Sequence, residues 1–164
     1  MVLISAVGWR NFDAEMSLLE HLLQTHRIIS IDTEFPRLIH RTPREANLFA
    51  CYEDVKFNVA KSILIQVGIT LSNDSGDIGG TWQFNLVRGN MVVNYVNHLR
   101  SRYGGVKFVK APWMTHGVPH MVFAKRFSEV MQNFHGEARW VTFHGLYDLA
   151  HLIPFSLGSP YLIH

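Results

Sequence analysis

The chain holds 164 residues, 48% of them hydrophobic and 12% aromatic, with a formal net charge of +2 at neutral pH. That is enough apolar material for one domain with a core, and so balanced a charge says little about partners. No stretch approaches the roughly 20 consecutive apolar residues that span a bilayer, and the lone cysteine, Cys51, excludes a disulfide framework or a cysteine metal knuckle. The apolar start over residues 1–7 is short and lacks a charged leader pattern, so an intracellular, reducing setting is expected.

Asn11 is placed to cap a first helix in which Phe12, Met16, Leu19 and Leu23 recur at helical spacing. Ile28-Ile29-Ser30-Ile31 reads as a central strand covered on both faces, running on through Asp32-Thr33-Glu34-Phe35. Residues 36–50, with Pro36, Pro43 and several arginines, read as a loop. Alternation of Ile63, Ile65, Val67, Ile69 and Leu71 makes a second strand. Residues 72–80, which include Gly79-Gly80, read as a turn, after which Thr81 to Leu86 pair back as a hairpin. Helical spacing returns at Val92, Val96, Leu99 and Tyr103. Pro119 is placed to open another helix through Phe123, Phe127, Val130 and Phe134, which Gly136 ends. Trp140 to Phe143 reads as a short strand, and a last helix turning Leu149, Leu152 and Ile153 inward is stopped by Pro154. The sum is a mixed α/β sheet with helices packed on it.

Chemistry concentrates in two places. Asp32 and Glu34 are spaced i, i+2, so on a strand both point to one side. Two like charges that close repel, and a divalent cation between them is the usual remedy for paired oxygen ligands. The alternative is a strand end passing into solvent with two unengaged acids. Asp148 falls in the first turn of the last helix, where the helix dipole alone favours a carboxylate by about 0.3–1 kcal/mol. An Asp there is often only structural, but Gly145 permits a tight strand-to-helix turn able to bring Asp148 to the sheet end holding Asp32 and Glu34. Three carboxylates around two cations about 3.5–4 Å apart make a site for phosphodiester hydrolysis. His116 and His120 flank Gly117 and Pro119 and read as a surface pair, and His144 and His151 bracket Asp148 on different sides. Trp82 and Phe84 read as core rather than as a base-stacking platform. Basic residues group as Arg37, Arg41 and Arg44, and again from Arg88 to Arg126 in an interval without acids, a distribution suited to nucleic acid or to a merely solvated face.

Four blocks occur in order: Asp32-Thr33-Glu34-Phe35-Pro36, Gln66-Val67-Gly68-Ile69-Thr70-Leu71, Gly80-Thr81-Trp82-Gln83-Phe84-Asn85, and Thr142-Phe143-His144-Gly145-Leu146-Tyr147-Asp148. Together they resemble the Caf/Pop-type deadenylases of the DEDD exonuclease superfamily, the poly(A)-shortening subunits of the CCR–NOT complex. The likeness covers nearly the whole chain to about Ile153. It implies an RNase H-like fold over residues 1–153, incomplete at the C-terminus, followed by a divergent tail over 154–164. It implies a 3'–5' exoribonuclease that releases 5'-AMP from mRNA poly(A) tails with two divalent ions, magnesium or manganese. By position Asp32, Glu34 and Asp148 match the catalytic metal ligands of the first two motifs. RNA and other CCR–NOT subunits are the implied partners, in nucleus and cytoplasm. The family's third motif, a last Asp ligand with a general-base His, does not appear, and Arg37 stands where a Gly is usual. A truncated, catalytically inactive paralogue that binds RNA or the complex is therefore the alternative. A DNA-proofreading relative is disfavoured by the block from Trp82 to Asn85.

Overall fold

The computed structural model describes residues 3–35, 38–62, 64–87, 116–143 and 145–156. The helix expected around Val92 to Tyr103, the basic residues from Arg88 to Lys110, Arg37, His144 and residues 157–164 lie outside the described residues. The elements are β1 (Ile4–Val7), α1 (Phe12–Leu23), β2 (Ile28–Glu34), α2 (Leu48–Lys61), β3 (Gln66–Ser72) and β4 (Ile78–Val87). They continue as β5 (Val118–Pro119), α3 (His120–Asn133), β6 (Arg139–Val141) and α4 (Leu146–Ser156).

Strand order is β1-β4-β3-β2-β6, with β5 pairing the end of β4. β2, β3 and β4 form an antiparallel meander, while β1 and β6 join it in parallel. The alternation read in the sequence determines the two faces. On one, Ile31 pairs with Ile69 and Ile69 with Trp82, and Thr33 pairs with Val67 and Val67 with Phe84. These side chains are buried under Phe12, Met16, Leu19 and Leu23 of α1 and Phe123, Phe127 and Val130 of α3. Rings dominate that core, with Phe84 5.2 Å from Phe123 and edge-on to Phe12 at 6.3 Å. Burying such rings is the largest favourable term available to a domain of this size. Trp82 also sends its indole N–H to Glu15, 2.8 Å away, which in turn accepts from Ser5. The opposite face is polar: Thr70 bonds Thr81, and Gln66 bonds Asn85.

Several expectations are corrected. β2 is central but buried on one face only, since Ile28 and Ser30 on the other face are half-buried. Asn11 sits at the start of α1 without capping it; its side chain accepts from Gly8 N and donates to Ala6 O, fastening the β1 turn instead. The end of the expected loop over 36–50 is already helix, because Asn47 caps α2 by accepting from Ala50 N. Gly79 and Gly80 belong to β4: the register skips between Leu71 and Ser72, and a Cβ on Gly80 would strike the Trp82 ring. Gly136 does not adopt a left-handed cap, and Phe134 ends α3. α4 runs past Pro154 to Ser156, and Leu149 and Ile153 are exposed while Leu152 alone of the three turns inward.

Truncating a ring at the centre of this cluster should be costly. Phe84→Ala is expected to lose about 3–5 kcal/mol of unfolding free energy in urea titrations, whereas Leu48→Ala on the exposed face of α2 should stay within about 0.5 kcal/mol of wild type.

Candidate active site

β2 carries Asp32 and Glu34 on its polar face, both exposed, with the buried Thr33 between them on the opposite face. Asp32 lies across from Gly68 of β3, so no neighbouring side chain crowds it. Neither carboxylate has a hydrogen-bond or ion-pair partner among the described residues. Two open oxygen donors side by side are held apart by repulsion unless a cation or water intervenes.

Asp148 arrives from α4. The turn into that helix is tight, since a Cβ on Gly145 would collide with the Thr142 side chain. β6 ends at Val141, opposite Ser30, so beyond that point β2 has an edge free of strand pairing on that side. Asp148 occupies it: its Oδ1 accepts from Thr33 N at 2.9 Å and from Thr33 Oγ1 at 2.6 Å. A buried carboxylate is costly without such donors, and each charge-assisted bond contributes about 1.5–3 kcal/mol net.

The structure thus brings α4 to the acid-bearing strand end, and it does so through Thr33. A closed cluster of three carboxylates is not formed: among the described residues no three His, Cys, Asp or Glu side chains gather closely enough to hold a metal ion. Asp32 and Glu34 alone still fit a hard cation, because magnesium is commonly held by one or two carboxylates with water and substrate phosphate completing the shell. His116 is exposed, and His120 contacts the carbonyl of Leu64, so they form no metal pair. Trp82 and Phe84 are core. Of the basic residues, Arg126 is engaged with Glu20 at 2.5 Å and Glu129 at 3.8 Å, whereas Arg41 opens onto a cleft. That cleft, about 920 Å³, is lined by Leu38, Arg41, Val55 and Tyr147 among others. Tyr147 packs on Phe35, 5.7 Å between ring centroids, and immediately precedes Asp148, so the cleft shares a wall with the helix that carries that acid.

His151 is buried one turn beyond Asp148, against Phe35 at 4.9 Å and within hydrogen-bond reach of Ser62 Oγ at 3.2 Å. Burial pushes its pKa down to about 4; the Asp148 carboxylate opposes that shift, and His120 adds to it. Sequence reasoning missed Thr33, Asn58 and His151 as parts of this region. Asn58 lies in a stretch to which periodicity assigns no element, so no sequence signal pointed to it.

No family model matches the chain. "Probable CCR4-associated factor 1 homolog 5" of Arabidopsis thaliana is 36% identical over 154 residues, 92% of this chain and 54% of that protein. "Poly(A) ribonuclease pop2" of Schizosaccharomyces pombe is 29% identical over 154 residues, 87% of this chain and 44% of that protein. Among solved structures, S. pombe Pop2p in its Mg2+- and Mn2+-bound form matches with a TM-score of 0.74 at 26% identity, over 98% of this chain and 66% of that one. Sheet order, flanking helices and this match define the fold as the mixed α/β fold of the Pop2 ribonucleases. Over most of its length the chain is similar to CCR4-associated factor 1 and Pop2 proteins. It spans about half the length of the relatives described.

Two outcomes follow from the Asp148 region. Thr33→Val removes one donor to a buried carboxylate and should cost about 1–3 kcal/mol in urea unfolding, with Thr33→Ser close to wild type. His151 is neutral in the fold down to about pH 4, while the unfolded imidazole protonates near 6.5. Its contribution is therefore complete above pH 6.5 and is lost as pH falls toward 4, when unfolding takes up a proton. Denaturant titrations at pH 7.5 and 4.5 should show wild type losing about 2–3 kcal/mol more than His151→Gln does.

Proposed function

We propose that the chain carries the acid-bearing part of a metal-dependent 3'–5' exoribonuclease that shortens poly(A) and releases 5'-AMP. The observation that supports this most is the open Asp32/Glu34 pair at the end of a central strand, with Asp148 bonded to the residue between them. Relatives named for poly(A) ribonuclease activity and for association with CCR4 support the same substrate and CCR–NOT partners. A nuclear and cytoplasmic setting belongs to this reading.

Asp32 and Glu34 would hold the cation, and Asp148 would complete the acidic surface around it. Magnesium or manganese bound there supplies a lowered pKa for the attacking water and charge stabilisation for the leaving oxygen. The remaining work falls to the chain itself. Thr33 holds Asp148 in register with the acid pair, and its two bonds fix the orientation of that carboxylate. Arg41 and the apolar walls of the adjacent cleft offer a phosphate contact and surfaces for a base.

A second reading, an RNA- or complex-binding module without turnover, draws support from the absence of a three-ligand group among the described residues. Incubation with an oligo(A)-tailed RNA and magnesium or manganese separates the two. Shortening is expected, and Asp32→Ala should reduce it at least about 100-fold, the scale of losing one charge-stabilising group. A folded sample that retains the RNA without shortening it favours the binding module. Calorimetric titration of manganese should also differ between wild type and Glu34→Ala; identical curves would remove the metal site.

A further inference from the structure

The cleft walled by Tyr147, the residue before Asp148, has one side without regular structure. Leu38, Ile39, Arg41 and Thr42 come from the loop after β2, Val55 from α2, and Tyr147 from α4. A loop holds a wall in place only if its backbone groups are tied down. Here one side chain does most of the tying. Asn58 of α2 is 1% exposed. Its Oδ1 accepts from Ile39 N and His40 N, both at 2.8 Å, and its Nδ2 donates to His40 O at 2.9 Å and to the Tyr147 hydroxyl at 3.0 Å. Both donors and both acceptor sites of the amide are thereby used. Inside a helix an Asn is unfavourable by propensity, so its presence here answers to something outside α2.

The surroundings reinforce the anchor. His40 stacks on Phe57 at 4.1 Å, and its Nδ1 lies 3.4 Å from Asp54. Tyr147, on the other side, packs on Phe35 directly after Glu34 and immediately precedes Asp148. Asn58 is thus bonded at once to the loop bearing Arg41 and to the residue next to the buried acid.

We propose that Asn58 is a positioning residue for the RNA substrate: it fixes loop 38–42 against α4 so that Arg41 and the apolar wall stand ready beside the helix that presents Asp148. The inference rests on the nuclease reading and adds to it the element that sets RNA affinity apart from metal binding. Asn58→Ala would strand three backbone groups and endanger folding. Asn58→Asp keeps the two acceptor bonds, and Tyr147→Phe removes a single hydroxyl while leaving the ring on Phe35, so these two variants carry the test. Anisotropy of a labelled oligo(A) RNA in EDTA reads the cleft alone, calorimetry with manganese reads the acid pair, and thermal melts read the fold. Both variants should bind RNA about 3–10-fold more weakly, the scale of one hydrogen bond, with the manganese isotherm of wild type. Unchanged RNA affinity in Tyr147→Phe, with or without a lowered melting temperature, overturns the proposal while leaving the nuclease reading intact. A wild-type chain that binds no oligo(A) but is still folded sinks the nuclease reading, and this inference with it.

Discussion

The bonds from Thr33 to Asp148 join two segments separated by 115 positions in the chain. A carboxylate buried at a sheet edge loses its hydration, and only donors of fixed geometry can offset that loss. Thr33 supplies two, one from backbone and one from side chain. The backbone donor exists only because β6 stops at Val141 and leaves the edge of β2 unpaired there. Strand length, helix entry and acid placement are therefore one constraint, and α4 has few other ways to sit on this sheet.

The sheet itself is divided by its pleat. One face supplies Ile29, Ile31, Val67, Ile69, Trp82 and Phe84 to a core closed by α1 and α3. The other carries Ser30, Thr70, Thr81, Gln66 and Asn85, bonded in part to one another, and ends in Asp32 and Glu34. Because side chains alternate strictly, the rigidity of the apolar face is transmitted to the acids one residue away. A pair of like charges can be held side by side in this way at little local cost, since the packing energy is gained elsewhere.

Much of this was legible in the chain. Period-two alternation placed β3 and β4, helical spacing gave α1 with all four inward residues, and the Asp-Thr-Glu step put the acids on one face. The failures have common physical causes. α2 lacks a continuous apolar stripe, burying only Asn58 and Val59, so periodicity could not find it. Gly79-Gly80 reads as a turn by composition, yet the extra residue is absorbed as a bulge where the His26 and Trp82 rings leave no room for a side chain. Spacing and the likeness to a known family both pointed to Asp32, Glu34 and Asp148 as the expected ligands, but nothing in the sequence could say that Asp148 would reach Thr33 first.

The misjudged phase of α4 is the most instructive case. A hydrophobicity pattern puts Leu149, Leu152 and Ile153 on its inner face, yet Leu149 and Ile153 are exposed. What faces inward is polar: Tyr147 to Asn58, Asp148 to Thr33, and His151 to Ser62, with Leu152 the buried apolar contact among them. Apolar packing is nondirectional and tolerates a shift of a few tenths of an ångström, whereas hydrogen bonds lose strength steeply with angle and distance. A helix fastened by such bonds gains less stability per residue than one fastened by leucines, but its position along the sheet edge is more sharply defined. For an element that, in the proposed function, presents one carboxylate at one point, that exchange is the favourable one. It also accounts for a helix whose inward polar residues a hydrophobicity pattern reads as its solvent side.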